Sequence, residues 1–430
     1  MKLIQTIISK VSLIGPIGLM SHMGHIGLIS LISLISIITL FVSCSKNDDF
    51  DEGQSLNATG VAIGGVSGYA TYFEEHDQQT RSGGALTRAW ELPDEIKSDY
   101  VAYESGVQPI AIAFTQNTKD PMLRYLYKVD DEWRINKSDG ITPGNYQLYG
   151  YIPNKTGIQY SITDYDGGET EEQKNASYST GAIMTLQNVP SVMPEDLCVV
   201  IGAKHGYDKE HDGDDDGTNR LRQGDFTYNA KAFAGTLGSD DDGGNFIFLL
   251  FDHLYASLHI NMKVHPDYAG VRQIKLDTLQ LRTQVGSEPT KQKTDITVNL
   301  QTTDGSTSPI QSISYSPTAG SKDIDEKGLT FWYSQTGHPL TTVSQPFIGH
   351  FMPLNITKLI LISTYDVYDL KGNLIRKGCT ARNSVKLKDL FTGQTQTERG
   401  KRYTINMTIQ PTYLYMLSEP DLDNPTVKID

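Results

Sequence analysis

The sequence predicts an all-β protein of the sandwich type. Apolar residues recur in short alternating runs broken by Gly, Asp, Asn and Pro, and no long stretch carries a clean 3.6-residue stripe. Alternation of period two turns one side of a strand to a core and the other to water. Many such strands divided by turn residues stack as sheets.

The N-terminus reads as an export signal. Lys2 and Lys10 lead a long apolar run ending Leu40-Phe41-Val42, with Ser43 and then Cys44 after it. A basic start, an apolar middle and a small residue before cysteine form a signal that ends in a lipobox. Residues 1–43 are then the lipoprotein signal peptide, and Cys44 is the lipidated new N-terminus. The competing reading is an uncleaved anchor, because the apolar run exceeds the roughly 20 residues that span a bilayer. Met20 or Met23 as the start would shorten the signal. Residues 44–56 are acidic and polar, a flexible tether. Their Ser45-Lys46-Asn47-Asp48-Asp49 segment resembles the acidic export tag of Bacteroidota surface lipoproteins, which implies an outward-facing outer-membrane anchor.

The exported part is too long for one ordinary core and fits two domains. Residues 61–73 are apolar but glycine-rich, a weak strand, and residues 74–84 are polar. Strands are expected at 100–103, 109–114, 123–129, 132–135, 145–153 and 197–202, with Asp130-Asp131 as a turn. Residues 205–245 then turn polar and acidic, which places a boundary between a domain at 57–204 and another at 246–430. Further strands are expected at 246–251, 256–264, 271–276, 296–300, 329–333, 341–348, 359–365 and 403–409. In the second of these, positions 258, 260, 262 and 264 should face inward. Residues 413–417 are apolar, and residues 421–430 read as an exposed tail.

The formal net charge is -14, and a nucleic-acid partner would need a basic footprint instead. Cys198 and Cys379 either pair in an oxidising compartment or are two separate buried thiols. Asp212, Asp214 and Asp216, with Gly217, match positions of a calcium-binding loop, but Gln223 stands where a glutamate belongs. The bland reading is an exposed acidic loop. His253, His259 and His265 are evenly spaced, yet no Cys or carboxylate set completes a zinc site, so no metal or cofactor is expected. No nucleophile elbow, phosphate loop or dinucleotide fingerprint occurs, and no catalytic set is expected.

Several pieces in order resemble the fimbrillin-like family, the type V pilins of Bacteroidota. These are the lipoprotein signal, Thr87-Arg88-Ala89-Trp90, the aromatic strand Leu148-Tyr149-Gly150-Tyr151-Ile152-Pro153, Asp196-Leu197, and Phe251-Asp252-His253-Leu254-Tyr255-Ala256-Ser257-Leu258. The chain departs from the family's usual pattern after the tryptophan, where Pro93-Asp94-Glu95-Ile96 stands. The resemblance implies two transthyretin-like β-sandwich domains and assembly into a pilus by strand exchange. It also implies adhesion at the cell surface, with other pilin subunits, the outer membrane and a surface receptor as partners. The leaving segment would be residues 61–73, cut away after Arg81 or Arg88. The donor strand would carry Tyr403, Ile405, Met407 and Ile409, which alternate as a groove-filling strand should. The alternatives are a non-polymerising surface lipoprotein that binds glycan or protein, and a secreted hydrolase, for which no residue set is apparent.

Overall fold

The computed structural model describes residues 63–70, 74–76, 110–117, 119–129, 132–135, 141–165, 178–206, 222–230, 245–391, 393–412 and 421–429. Cys44, the tether, Arg81, Arg88, the strand expected at 100–103, the acidic loop from Asp212 to Gly217 and residues 413–417 lie outside them.

In chain order the first strands are β1 (Ile63–Ala70), β2 (Glu74–His76), β3 (Ile110–Thr115), β4 (Met122–Val129), β5 (Glu132–Ile135) and β6 (Gly144–Ile152). Next come β7 (Gln159–Asp164), β8 (Gly181–Pro190), β9 (Val192–Met193), β10 (Cys198–Gly206), β11 (Thr227–Ala230) and β12 (Asn245–His253). Then follow β13 (Ala256–Val264), the short helix α1 (Pro266–Ala269), β14 (Gln273–Val285), β15 (Glu288–Pro289), β16 (Lys293–Gln301) and β17 (Ile310–Pro317). The remainder is β18 (Leu329–Leu340), β19 (Gln345–Phe351), β20 (Lys358–Tyr368), β21 (Leu374–Lys386), α2 (Leu387–Leu390), β22 (Lys401–Thr412) and β23 (Asp421–Ile429).

Among the described residues, four sheets form two sandwiches. One sheet runs β1-β12-β10-β6-β3-β4-β5, with β11 also on β6, and it faces the sheet β17-β16-β8-β7. Between them lies the first core. Ala182, Met184 and Leu186 of β8 stand opposite Leu300, Val298 and Ile296 of β16, and all six are buried. β6 lies in the middle of its sheet, so Tyr146, Leu148, Tyr149, Tyr151 and Ile152 are buried on both of its faces. Its tyrosines are tolerated there because each hydroxyl finds an acceptor. Tyr146 donates to Thr142 O (2.8 Å), Tyr149 to Tyr178 O (2.6 Å) and Tyr151 to Asn154 Oδ1 (2.7 Å).

The second core lies between the sheet β2-β22-β13-β19-β9, with β23 also on β22, and the sheet β15-β14-β20-β21, with β18 also on β14. Leu258, Ile260, Met262 and Val264 of β13 point inward as their alternation predicts. β21 closes its sheet as a largely exposed edge carrying Arg376, Lys377, Arg382 and Lys386. Charge along an edge discourages pairing with other chains.

The two cores interleave along the chain. β12, β16 and β17 pack with the first core, although the composition shift at 205–245 puts their residues in the C-terminal half. Conversely, β9 joins the second sandwich through β19. Core membership follows strand pairing rather than the composition shift.

Two details depart from the sequence reading. Residues 421–429 of the expected tail are a strand: β23 pairs antiparallel with β22, and Val427 and Ile429 pack against the second core. Its polar start, Asp421-Leu422-Asp423-Asn424-Pro425, hides the strand because an edge needs only one apolar side. The strand expected at 341–348 begins only at Gln345, since Thr341 Oγ1 accepts from Val343 N (3.1 Å) and closes a turn.

Candidate functional site

The N-terminal stretch places one strand on each sandwich. β1 pairs parallel with β12 at the end of the first large sheet, in register from Ile63–Asn245 to Ala70–Phe251. β2 pairs parallel with the start of β22, Glu74 beside Lys401 and His76 beside Tyr403. Both strands precede Arg81 and Arg88 in the sequence.

The expected donor strand is β22. Tyr403, Ile405, Met407 and Ile409 are all at most 1% exposed and face the second core. β13 pairs along one edge of β22, while β2 and β23 share the other. Fully burying each such side chain contributes about 1.5–3 kcal/mol. Four of them therefore amount to roughly 6–12 kcal/mol, which is comparable to the whole stability of an ordinary domain. β22 is thus an interior strand of its own sandwich, and β23 is the strand at the margin.

A second site is chemical. Where β9 ends and β10 begins, the chain passes from the second sandwich to the first. It passes back where β12 ends and β13 begins. Asp196, Cys198 and His253 meet at these crossings. Cys198 and His253 are register partners across β10 and β12, and Asp196 lies two residues before Cys198. Residues paired across neighbouring strands bring their Cβ atoms within about 5.5 Å. The Cys198 thiol donates to Asp196 Oδ2 (3.1 Å), and its sulfur lies 3.5 Å from His253 Nδ1. His253 Nδ1 is itself paired with Asp196 Oδ2. Cys198 is fully buried, and the side chains of His253 and Asp196 are 4% and 15% exposed.

Neighbouring groups fix the backbone of this cluster. His253 N donates to Asp252 Oδ1 (2.9 Å). Arg399 donates to His253 O (2.8 Å) and to Asp252 Oδ2 (2.9 Å). Leu254 N donates to Leu197 O (2.7 Å), and His350 Nδ1 contacts Pro194 O at 2.9 Å. Burial would raise the Asp196 carboxyl, but the adjacent His253 ring, with His350 and the Cys198 thiol, outweighs it and holds the carboxyl below its ordinary value. Burial lowers the His350 ring.

Sulfur and carboxylate address the same ring nitrogen. A nucleophile–base–orienter relay needs them on opposite nitrogens, and a buried sulfur meets no substrate. The arrangement is not one for nucleophilic catalysis. Asp196, Cys198 and His253 instead hold three metal-ligating atoms within 4.8 Å of one another.

The sequence reading missed this set because its members come from segments 55 residues apart. The one usable signal was that Cys198, Asp196 and His253 each fall beside an expected strand end. The other two histidines are not with them. His259 lies mid-strand on β13, and His265 Nδ1 accepts from Asp267 N (3.3 Å) at the start of α1. Cys379 is buried in the second core, apart from Cys198 in the first. Gln223 donates to Gly305 O (3.0 Å) and serves a loop contact.

Comparison with known proteins finds similar solved structures from Bacteroides. One is a candidate cell adhesion protein of Bacteroides fragilis NCTC 9343, with 10% identity, a TM-score of 0.35, and coverage of 86% of this chain and 97% of that one. Another is a candidate cell adhesion protein of Bacteroides uniformis ATCC 8492, with 11% identity, a TM-score of 0.30, and coverage of 75% and 91%. A third is a fimbrial protein of Bacteroides vulgatus ATCC 8482, with 13% identity, a TM-score of 0.31, and coverage of 75% and 91%. No protein-family model and no curated protein matches the chain.

Proposed function

We propose that the chain is a lipid-anchored surface protein of the fimbrillin type, a non-catalytic pilus subunit that assembles by strand exchange and serves adhesion. The observation that carries this reading is the placement of β1 and β2 on one stretch in front of Arg81 and Arg88. A single cut after either arginine would detach both strands. β12 would then lose its parallel partner and β22 its cover at residues 401–403, leaving open backbone groups on both sandwiches. An incoming strand satisfies such groups by β-augmentation. Tyr403, Ile405, Met407 and Ile409 remain the assigned donor region in this reading, with β23 as the part released at least cost. Cys44 supplies the anchor of the precursor and leaves with the detached segment when the cut is made.

A second reading, a non-polymerising surface lipoprotein that binds glycan or protein, is favoured by the enclosure of β22 between partners on both edges. Mass spectrometry of protein taken from its native cell surface separates the two. A new N-terminus after Arg81 or Arg88 in ladder-forming material supports the subunit. An intact chain lipidated at Cys44 and free of ladders supports the second reading and overturns the first.

A further inference from the structure

We propose that Asp196, Cys198 and His253 form a zinc-binding site where two of the chain crossings between the sandwiches meet, β9 to β10 and β12 to β13. The donor set is one thiolate, one imidazole and one carboxylate, the combination that suits a borderline-soft divalent ion. Zinc bonds of about 2.0–2.3 Å place tetrahedral ligand atoms about 3.3–3.6 Å apart. Here sulfur lies 3.5 Å from the ring nitrogen and 3.1 Å from the carboxylate oxygen. The third pair, His253 Nδ1 and Asp196 Oδ2, is in direct hydrogen-bond contact, so the Asp196 carboxylate has to turn away from the ring to admit the ion.

Three further observations point to a ligand. Asp196 Oδ1 is buried and has no hydrogen-bond partner, leaving a carboxylate oxygen at the cluster with nothing to satisfy it. Asp196 is the most exposed of the three, so it forms the side through which an ion enters and a water completes the coordination. The supports are also those of a metal site. The backbone of His253 is gripped on both sides by Asp252 and Arg399, and the segment before Asp196 is held by His350. These contacts fix the backbone that carries His253 and the segment leading to Asp196.

Binding releases the thiol proton, and sulfur, nitrogen and oxygen each donate a lone pair to the ion with no change in oxidation state. Its consequence is mechanical coupling. The ion bonds to residues on both crossings, 196–198 and 253, so it adds a side-chain clamp at the point where the pairing of β10 with β12 ends.

The test uses detergent-solubilised full-length protein, stripped with a chelator and titrated with zinc and, separately, with cobalt(II). The expected result is one bound ion per chain, a thiolate-to-cobalt absorption band in the near ultraviolet, and a rise in melting temperature with zinc. Asp196→Asn, which keeps the shape of the side chain, should weaken zinc at least about tenfold. Cys198→Ser should abolish the cobalt band, and Cys379→Ser should leave it intact. Absence of the band from the folded wild-type protein overturns the proposal. So does zinc affinity unchanged in both Asp196→Asn and Cys198→Ser. None of these readouts depends on whether the chain polymerises.

Discussion

Single residues already separate the interior from the surface. Gly150 on β6 stands opposite Ile112, and a Cβ added there would lie 2.2 Å from Ala111 O, a backbone atom with no freedom to retreat. Gly150→Ala should therefore cost more than the 1–3 kcal/mol typical of overpacking, read as a drop in urea midpoint. His259 offers a pH test. Burial, with Arg402 and His350 nearby, lowers its ring from 6.5 to about 4. As pH falls, the unfolded chain takes up this proton first. The contribution of a neutral His259 is thus complete above about 6.5 and is lost as pH falls towards about 4. His259→Gln should flatten this limb of the stability curve, measured by urea denaturation at about pH 7 and about pH 4.5.

At the scale of elements, β22 and β23 differ in what their removal costs. Ile405→Ala should lose about 2–5 kcal/mol, as buried aliphatic truncations do. Ile429→Ala on β23 should lose clearly less, because its side chain is only half-buried. Equal losses in chemical denaturation would contradict the division into interior and marginal strands. The contrast shows what was legible beforehand. β22 announces itself through Tyr403, Ile405, Met407 and Ile409, as β13 does through its inward row. Amphipathic strands with one strongly apolar side carry their fold in their spelling. β17, β21 and β23 do not, since edge or half-exposed strands are spelled with Ser, Arg, Lys and Asp and depend on a neighbour for definition. The zinc ligands were invisible for a related reason. Register across β10 and β12 brings Cys198 to His253, and register is a property of pairing rather than of either segment.

Across the whole molecule the interleaved cores bind the halves of the chain to each other. β16 and β17 lie in the C-terminal half of the sequence, but β16 finds its sheet partner β8 in the N-terminal half. A fragment of residues 246–430 should consequently keep dispersed NMR resonances for the second core and lose them for β12, β16 and β17, whose partners it lacks. A fragment dispersed throughout would show that these three strands need nothing from the N-terminal half. One feature of the first sheet bears on how such a molecule meets force. β1 runs parallel to β12 over seven register pairs from Ile63 to Ala70. A pull applied at the N-terminal end of β1 acts along the axis of the strand. The inter-strand bonds are then strained together in shear, instead of opening one after another like a zipper, so the outermost strand is also a brake against extraction.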